Sequence, residues 1–486
     1  MSRARNLWGR LRRVDPATWV AFGLVAIHAL WTTRLQWDIH RGLGTSSYDV
    51  GLYDQGTWLL SRFEAPFVTL MGRNMLGDHA SLVMFLLVPL YWVIPGTETL
   101  LAVQSVVVAA GALPVYFLAR KRLDSRIMAV AMVAVWLLNP ALNGANLENF
   151  HPDSFLALFL PLALWAMFER RWRTYAVAVV LCMTVKEDVS LVLVPLGLLV
   201  MLRGDRRRGL ATVVASVAAT LAGMFLLMRS LIGVPTRNGW RIPYGGVSGF
   251  IKESVTNPTN VWRYLTSEGR LFYLWQLCAP FAFVFFLAPE VALVSGLVML
   301  ANIVSTFWYQ FHIGYHYSLV IVPALAFATV IGISRLHRDS RRIAVSVVFV
   351  CAVLGAYAWT PLPGARRELP HWPAGHPVAV AARDIMEKIP PGARIAVYHA
   401  LAPHLAHRKY VYQFPNPFRV VLYGTDVSLE GSRDPAADSV EYVVLPLEMD
   451  EDMRKDLASI AGDFDTVAKN QFWGIWKRRS ASSVSP

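Results

Sequence analysis

The stretch SSYDVGLYDQGTW, residues 46–58, sets Asp49 and Asp54 a short distance beyond an apolar run long enough to enter a bilayer. A carboxylate in that setting has two uses. It caps the helix that follows, accepting from free N–H groups of the first turn, or it serves as a general base that takes a proton from a hydroxyl during group transfer. A spacing of five residues turns Asp49 and Asp54 about 140° apart on a helix, so they do not share one helical face. Asp49 reads as a loop residue at a junction, and Asp54 as part of the helix beyond it.

Other clusters carry comparable chemistry. RNMLGDHAS supplies Arg73, Asp78 and His79; NLENFHPDS supplies Glu148, His151 and Asp153; TVKEDVS supplies Lys186, Glu187 and Asp188; FWYQFHIGYHYS supplies His312 and His316. Around Lys186 the choice lies between a self-compensated ion cluster capping a helical hairpin, with Asp188 as an N-cap-like acceptor, and an ammonium facing an anion such as phosphate. His79 with Asp78, or His151 with Asp153 and Glu148, offers ligands to a divalent metal, but no HExxH spacing accompanies them and hydrogen bonding accounts for the same residues. His312 and His316 stand at i and i+4, in a segment whose aromatic content fits a membrane–water belt.

These residues must be positioned by membrane helices. Of the 486 residues 55% are hydrophobic and 16% charged, against about 25% charged in a soluble domain, and mean hydropathy is +0.41. The net charge of +13 is spread in short clusters between apolar runs, the pattern that sets membrane topology, not one continuous face for nucleic acid. Cys182, Cys278 and Cys351 lie inside apolar runs, as small hydrophobes. Eleven runs approach the roughly 20 residues of a span, near 17–35, 98–119, 126–145, 154–168, 174–186, 188–202, 210–232, 271–287, 290–307, 317–334 and 343–359.

The positive-inside rule orients them. Arg3, Arg5, Arg10, Arg12 and Arg13, then RKRLDSR, ERRWR, RGDRRR and SRLHRDSRR, fall on one side, which is therefore cytoplasmic; the loops that carry His151, His312 and His316 have no Lys or Arg. The run LVMFLLVPLYWVI, residues 82–94, is too short to cross and reads as a re-entrant or interfacial helix. Residues 36–97 then form one long outer loop, and all the polar clusters share the outer side. Charge at membrane depth is expensive, so such a cluster marks a functional cavity.

Beyond the Pro-rich linker TPLPGARRELPHWPAGHP the pattern becomes that of a soluble α/β domain, residues 360–480, on the outer side, followed by a disordered tail at 481–486. ARIAVYH, KYVYQF, EYVVLPL and FWGIWKR read as strands, ALAPHLAH as a helix start and DEDMRKDLASIAG as a helix.

A basic N-terminus, one span, an outer loop with an early Asp and a short interfacial helix, many further spans and an outer α/β domain resemble the GT-C superfamily of polytopic glycosyltransferases. More closely, YDVGLYDQGTW, GRNMLGDHAS, VQSVVVAAGALPVYFLAR, ENFHPDSF and KEDVSL are similar to a bacterial family of uncharacterised predicted membrane proteins in that clan. The resemblance implies a GT-C-like membrane domain over residues 1–359 in a multi-pass protein of the cytoplasmic (inner) membrane. By their places in the motifs, Asp49 matches the catalytic carboxylate of the first outer loop and Lys186 the basic residue that contacts a polyprenyl phosphate. His79 stands without the prolines common in relatives, and Glu187 and Asp188 follow Lys186 where many relatives have Gly-Pro.

The expectation is an inverting glycosyltransferase. Asp49 would act as base on a glycan, lipid or protein acceptor, with Asp54 orienting the site or holding a metal. Lys186, His79 and Arg73 would offset the charge of the departing lipid phosphate. Two other readings use the same residues: a transporter or lipid-binding protein without transferase activity, and a scaffold that keeps the fold alone. A divalent metal as cofactor stays open, as do the sugar and the oligomeric state.

Overall fold

The computed structural model describes residues 15–233, 241–369 and 371–479. The basic N-terminal cluster from Arg3 to Arg13 and the 481–486 tail lie outside the described residues.

Helix α1 (Pro16–Arg41) begins where the Asp15 carboxylate accepts from the Ala17 N–H and Pro16, which has no N–H to satisfy, takes the first position. Helix α2 (Leu52–Ser61) follows the Asp49 loop. Helix α3 (Thr97–Arg122) is one continuous apolar rod. Arg126–Leu137 bends by 41° into α4 (Pro140–Glu148), because Pro140 cannot donate to the preceding turn and the Asn139 side chain starts a new helix by accepting from Ala141 and Leu142. The long helices α5 (Arg206–Ile232), α6 (His316–Ser334) and α7 (Arg338–Trp359) come later in the chain.

By length and composition, four helices among the described residues can each cross a membrane, namely α3, α5, α6 and α7, and the bent pair makes a fifth. The eleven apolar runs all fall on helix, but not as eleven full-length rods. Helix α1 is unbroken over 26 residues, but His28, Arg34, Gln36, Asp38 and His40 dilute its apolar character, while Pro152–Phe168, Trp172–Met183 and Pro289–Val304 are shorter. The 271–287 run is a helix only from Arg270 to Cys278; Pro280 then removes a donor and Ala282 and Phe283 turn left-handed, at φ 48° and 58°. Where α3 crosses Pro152–Phe168, a Cβ on Gly111 would lie 1.9 Å from the Ala157 carbonyl oxygen, so glycine there lets the two backbones meet.

The basic loops converge at one end of the bundle. Asp15 pairs with Arg120 and Arg126, Glu169 with Lys121 and Arg122, and Glu290 with Arg335. The first residues of α3 and the last of α1 lie at the opposite end, where Trp37 and Arg41 bond Glu98. There, Leu82–Tyr91 forms a short helix that turns Leu82, Phe85, Leu86 and Leu90 outward.

The C-terminal domain is a five-stranded sheet. With the short outer-loop ribbon Phe67–Val68 and Arg73–Asn74 counted as β1 and β2, its strands are β3 (Ile395–Val397), β4 (Val411–Gln413), β5 (Tyr442–Pro446), β6 (Phe464–Lys469) and β7 (Trp473–Arg478), in the order β4-β3-β5-β7-β6. β3 runs parallel to both neighbours, and β7 antiparallel to β5 and β6. The helix Glu451–Ser459 and four strands answer the sequence pattern. The helix Pro377–Glu387 and β6 do not: β6 is an edge strand with mostly exposed side chains and a bulge at Thr466/Ala468, so it shows no alternation. ALAPHLAH forms only one 3-10 turn, Ala402–His404.

This domain grips the loop between α1 and α3. The Ser47 N–H donates to the His399 carbonyl, the Ser47 hydroxyl donates to Gln413, and the Tyr48 hydroxyl donates to the Leu422 carbonyl. Gln55 donates to the Arg408 carbonyl, Thr69 to the Val411 carbonyl, and the Gly424 N–H to the Met71 carbonyl. The residues on both sides of Asp49 are thus fixed from outside the membrane domain.

Candidate functional site

Asp49 does not cap α2: no side chain bonds the first turn of that helix, whose N-terminal neighbour is Gly51. Instead Asp49 sits at φ 68° and ψ −101° inside a tight turn, a region that costs a non-glycine residue on the order of 1–3 kcal/mol and persists only when the surroundings impose it. The bonds to Ser47 and Tyr48 supply that constraint. The carboxylate remains partly open, with 37% of the side chain exposed, and Asp49 Oδ2 lies 3.5 Å from His151 Nε2.

His151 is the N-cap of a 3-10 turn, Pro152–Phe155, and Gln104 accepts its backbone N–H. Its Nε2 also lies 3.4 Å from Glu148 Oε2, one helical turn back at the end of α4. Burial alone would lower the His151 pKa, but the carboxylates of Asp49 and Glu148 outweigh it and push the value up to about 10. The His316 ring stacks on His151 with 3.5 Å between centroids.

Beside this group lies a second one. Lys186, 7% exposed, faces Asp153 at 3.7 Å and the Tyr317 ring at 5.8 Å. Glu187 does not neutralise Lys186 as its closest partner. Glu187 Oε1 lies 2.8 Å from His79 Nδ1, and Oε2 accepts from the Ala80 N–H, so it ties the hairpin turn to the outer loop. Arg73 pairs with Asp78 at 2.9 Å and keeps a buried Nε without a partner. Tyr53 joins the two groups: it is buried, its ring lies edge-on to His151, and its hydroxyl feels Lys186, Asp153, Asp78 and Asp49 together. Arg241 adds a further guanidinium, 3.4 Å from the Tyr317 hydroxyl.

Three expectations are corrected. Asp54 is turned away from Asp49. It is 1% exposed and accepts from the hydroxyls of Tyr91 (2.6 Å) and Thr97 (2.9 Å), with His407 Nε2 at 3.0 Å. It therefore joins α2, the interfacial segment, α3 and the C-terminal domain, as the five-residue spacing allows, and borders a separate cavity of about 280 Å³ lined also by His40 and His404. Asp188 caps nothing, since it lies within the 3-10 turn Glu187–Val189 and no side chain caps the helix Ser190–Leu202. His312 and His316 do not share a helix face: 312–315 is not helical, and His312 Nδ1 accepts from the Gly314 N–H among aromatic rings while His316 opens α6.

Tyr53 and Tyr317 escape a reading by residue type, because each tyrosine looks like interfacial aromatic content until the fold sets it against a charge. Their only sequence signal is their place in YDVGLYDQ and YHYS.

The overall fold has counterparts in solved structures. The chain is similar to ArnT from Cupriavidus metallidurans in its crystal structure bound to undecaprenyl phosphate, with 14% identity, a TM-score of 0.57, and 96% of this chain and 99% of that chain covered. Against the apo state of the same protein the identity is 13%, the TM-score 0.51, and the coverage 94% and 98%. At such identity the likeness is one of fold alone: a polytopic helical chain with a small C-terminal sheet domain, as the sequence pattern leads one to expect. The profile of a family described as a predicted membrane protein, DUF2079, matches residues 39–477. No curated protein matches the sequence.

Proposed function

The chain belongs to the DUF2079 family of predicted membrane proteins, and from that premise we propose that it is an inverting membrane glycosyltransferase. Its sugar donor is linked to a polyprenyl phosphate, and it acts at the outer face of the cytoplasmic membrane. The observation that carries the reading is Asp49. It is a partly open carboxylate in a strained turn, held by an outer domain, beside a buried cluster containing Lys186.

In the reaction Asp49 takes the proton of the acceptor hydroxyl as its oxygen attacks the anomeric carbon. The bond from that carbon to the phosphate oxygen breaks, and the electron pair leaves with the polyprenyl phosphate. Lys186, with His79 and Arg73 behind it, offsets the charge that accumulates there. Each of these cations has a carboxylate partner in the absence of donor, namely Asp153, Glu187 and Asp78. A phosphate arriving at the site therefore competes with these pairs and draws the cations out of them. The likeness to a protein crystallised with undecaprenyl phosphate supports this choice of lipid carrier. The convergence of the basic loops at the far end of the bundle supports the outward orientation of the site.

The test is transfer of label from a panel of polyprenyl-phosphate sugars by purified protein, beside Asp49→Asn and Lys186→Ala. Transfer that Asp49→Asn abolishes while the variant still folds and binds donor supports the reading. Donor binding without transfer from any panel member, unchanged in Asp49→Asn, overturns it in favour of a lipid-binding or transport protein.

A further inference from the structure

We propose that Glu148, His151 and His316 form a binding site for one divalent cation of the Zn²⁺ class, closed by Asp49. The two imidazoles and the Glu148 carboxylate each offer a ligand atom, and these atoms lie within 4.8 Å of one another. His316 Nδ1, His151 Nε2 and Glu148 Oε2 are also buried without a hydrogen-bond partner. One orphaned buried atom is a local irregularity; three converging on one point share a missing partner. The distances of 3.4 and 3.5 Å from His151 Nε2 to the two carboxylates are ion-pair distances, longer than a good hydrogen bond. A proton on His151 Nε2 serves only these two carboxylates, whereas a divalent cation that displaces it also reaches the buried His316 nitrogen.

The scaffold brings these groups together on purpose-built contacts. Glu148 ends α4, His151 opens the following turn and His316 opens α6. A Cβ on Gly144 would lie 2.8 Å from the Ile313 carbonyl oxygen, so glycine in α4 admits the loop that delivers His316. Two nitrogen donors argue against Mg²⁺ and Ca²⁺, which take oxygen ligands, and favour Zn²⁺. Asp49 Oδ2 lies 3.5 Å from His151 Nε2, beside the three-residue group, and by moving inward would give a fourth ligand at roughly 2.0–2.2 Å from the metal. The site stands on its own geometry; its bearing on catalysis rests on the transferase reading, in which the cation would sit against the base.

The experiment uses full-length protein purified through a tag without histidines, loaded with Zn²⁺ or Co²⁺ and freed of excess metal. Metal content by mass spectrometry, the visible absorption of the Co²⁺ form and the shift of Tm on adding Zn²⁺ are read together. About one metal per chain is expected, falling at least tenfold in Glu148→Gln and in His316→Ala, and retained in His312→Ala. The Tm shift disappears with it. Substoichiometric metal on the wild type at saturating Zn²⁺, or equal metal in Glu148→Gln and His316→Ala, overturns the site. Metal binding without transfer leaves the site standing and sinks the transferase reading; transfer by metal-free protein that binds no Zn²⁺ does the reverse.

Discussion

Glu187 reaches across to His79, with 2.8 Å between Oε1 and Nδ1, and so fastens the turn that carries Lys186 to the interfacial segment of the outer loop. The same contact leaves Lys186 to Asp153. The division matters for pH. Burial lowers the His79 pKa, but the Glu187 charge prevails and holds it above the ordinary 6.5. Burial raises that of Glu187, yet His79 and Lys186 hold it down to about 2, below the ordinary 4.5. The His79 contribution is complete below pH 6.5 and lost as pH rises through its raised value; the Glu187 contribution is complete above pH 4.5 and lost as pH falls toward about 2. Hydrogen exchange at residues 80–84, corrected for intrinsic rates, should be slowest between pH 4.5 and 6.5 and speed up on both sides. His79→Gln should flatten the profile.

Asp49 separates activity from stability. Asp49→Asn keeps the shape and loses the base, so transfer should fall by about 10²–10⁴-fold with donor affinity little changed. Asp49→Gly should be equally inactive yet more stable by about 1 kcal/mol, because glycine adopts φ 68° freely. Thermal unfolding of the two variants beside the wild type measures the difference. A less stable Asp49→Gly protein would refute the strain.

Lys186→Met leaves Asp153 buried beside an apolar side chain, a loss of about 3 kcal/mol for a broken buried pair. Adding Asp153→Leu should recover most of the stability and none of the undecaprenyl-phosphate affinity. Denaturation midpoints and lipid binding, measured on both proteins, distinguish a structural pair from one that serves the ligand. Recovery of binding in the double variant would remove Lys186 from the donor site.

At the seam between the domains, Tyr91→Phe removes one of three partners of Asp54 and should cost about 1 kcal/mol. Asp54→Ala removes all three contacts, including that to His407, and should cost more. Protease cleavage in the 360–376 linker reports the loosening. Cleavage of Asp54→Ala at the wild-type rate would show that the seam does not depend on this carboxylate.

The membrane class and the α/β character of the C-terminal segment were legible in the sequence, because apolar period and turn residues are local properties. What it withheld depends on contacts distant along the chain. His316 paired in the sequence with His312, four residues away, whereas in the fold residues 312–315 are not helical and His151 takes that place. Asp49 and Asp54 looked like two candidates for one task until the turn at Asp49 sent them to different partners. The 271–287 run looked like a span because its composition is apolar, whereas Pro280 and the left-handed residues Ala282 and Phe283 break it into a helix and two 3-10 turns.

The grip of the C-terminal sheet on residues 47 and 48 also bears on biosynthesis. Asp49 is made well before His399, Gln413 and Leu422, the residues that fix its turn. A ribosome-bound intermediate therefore carries its carboxylate in an unsupported loop, and competence arrives only when the five-stranded sheet has folded back onto that loop.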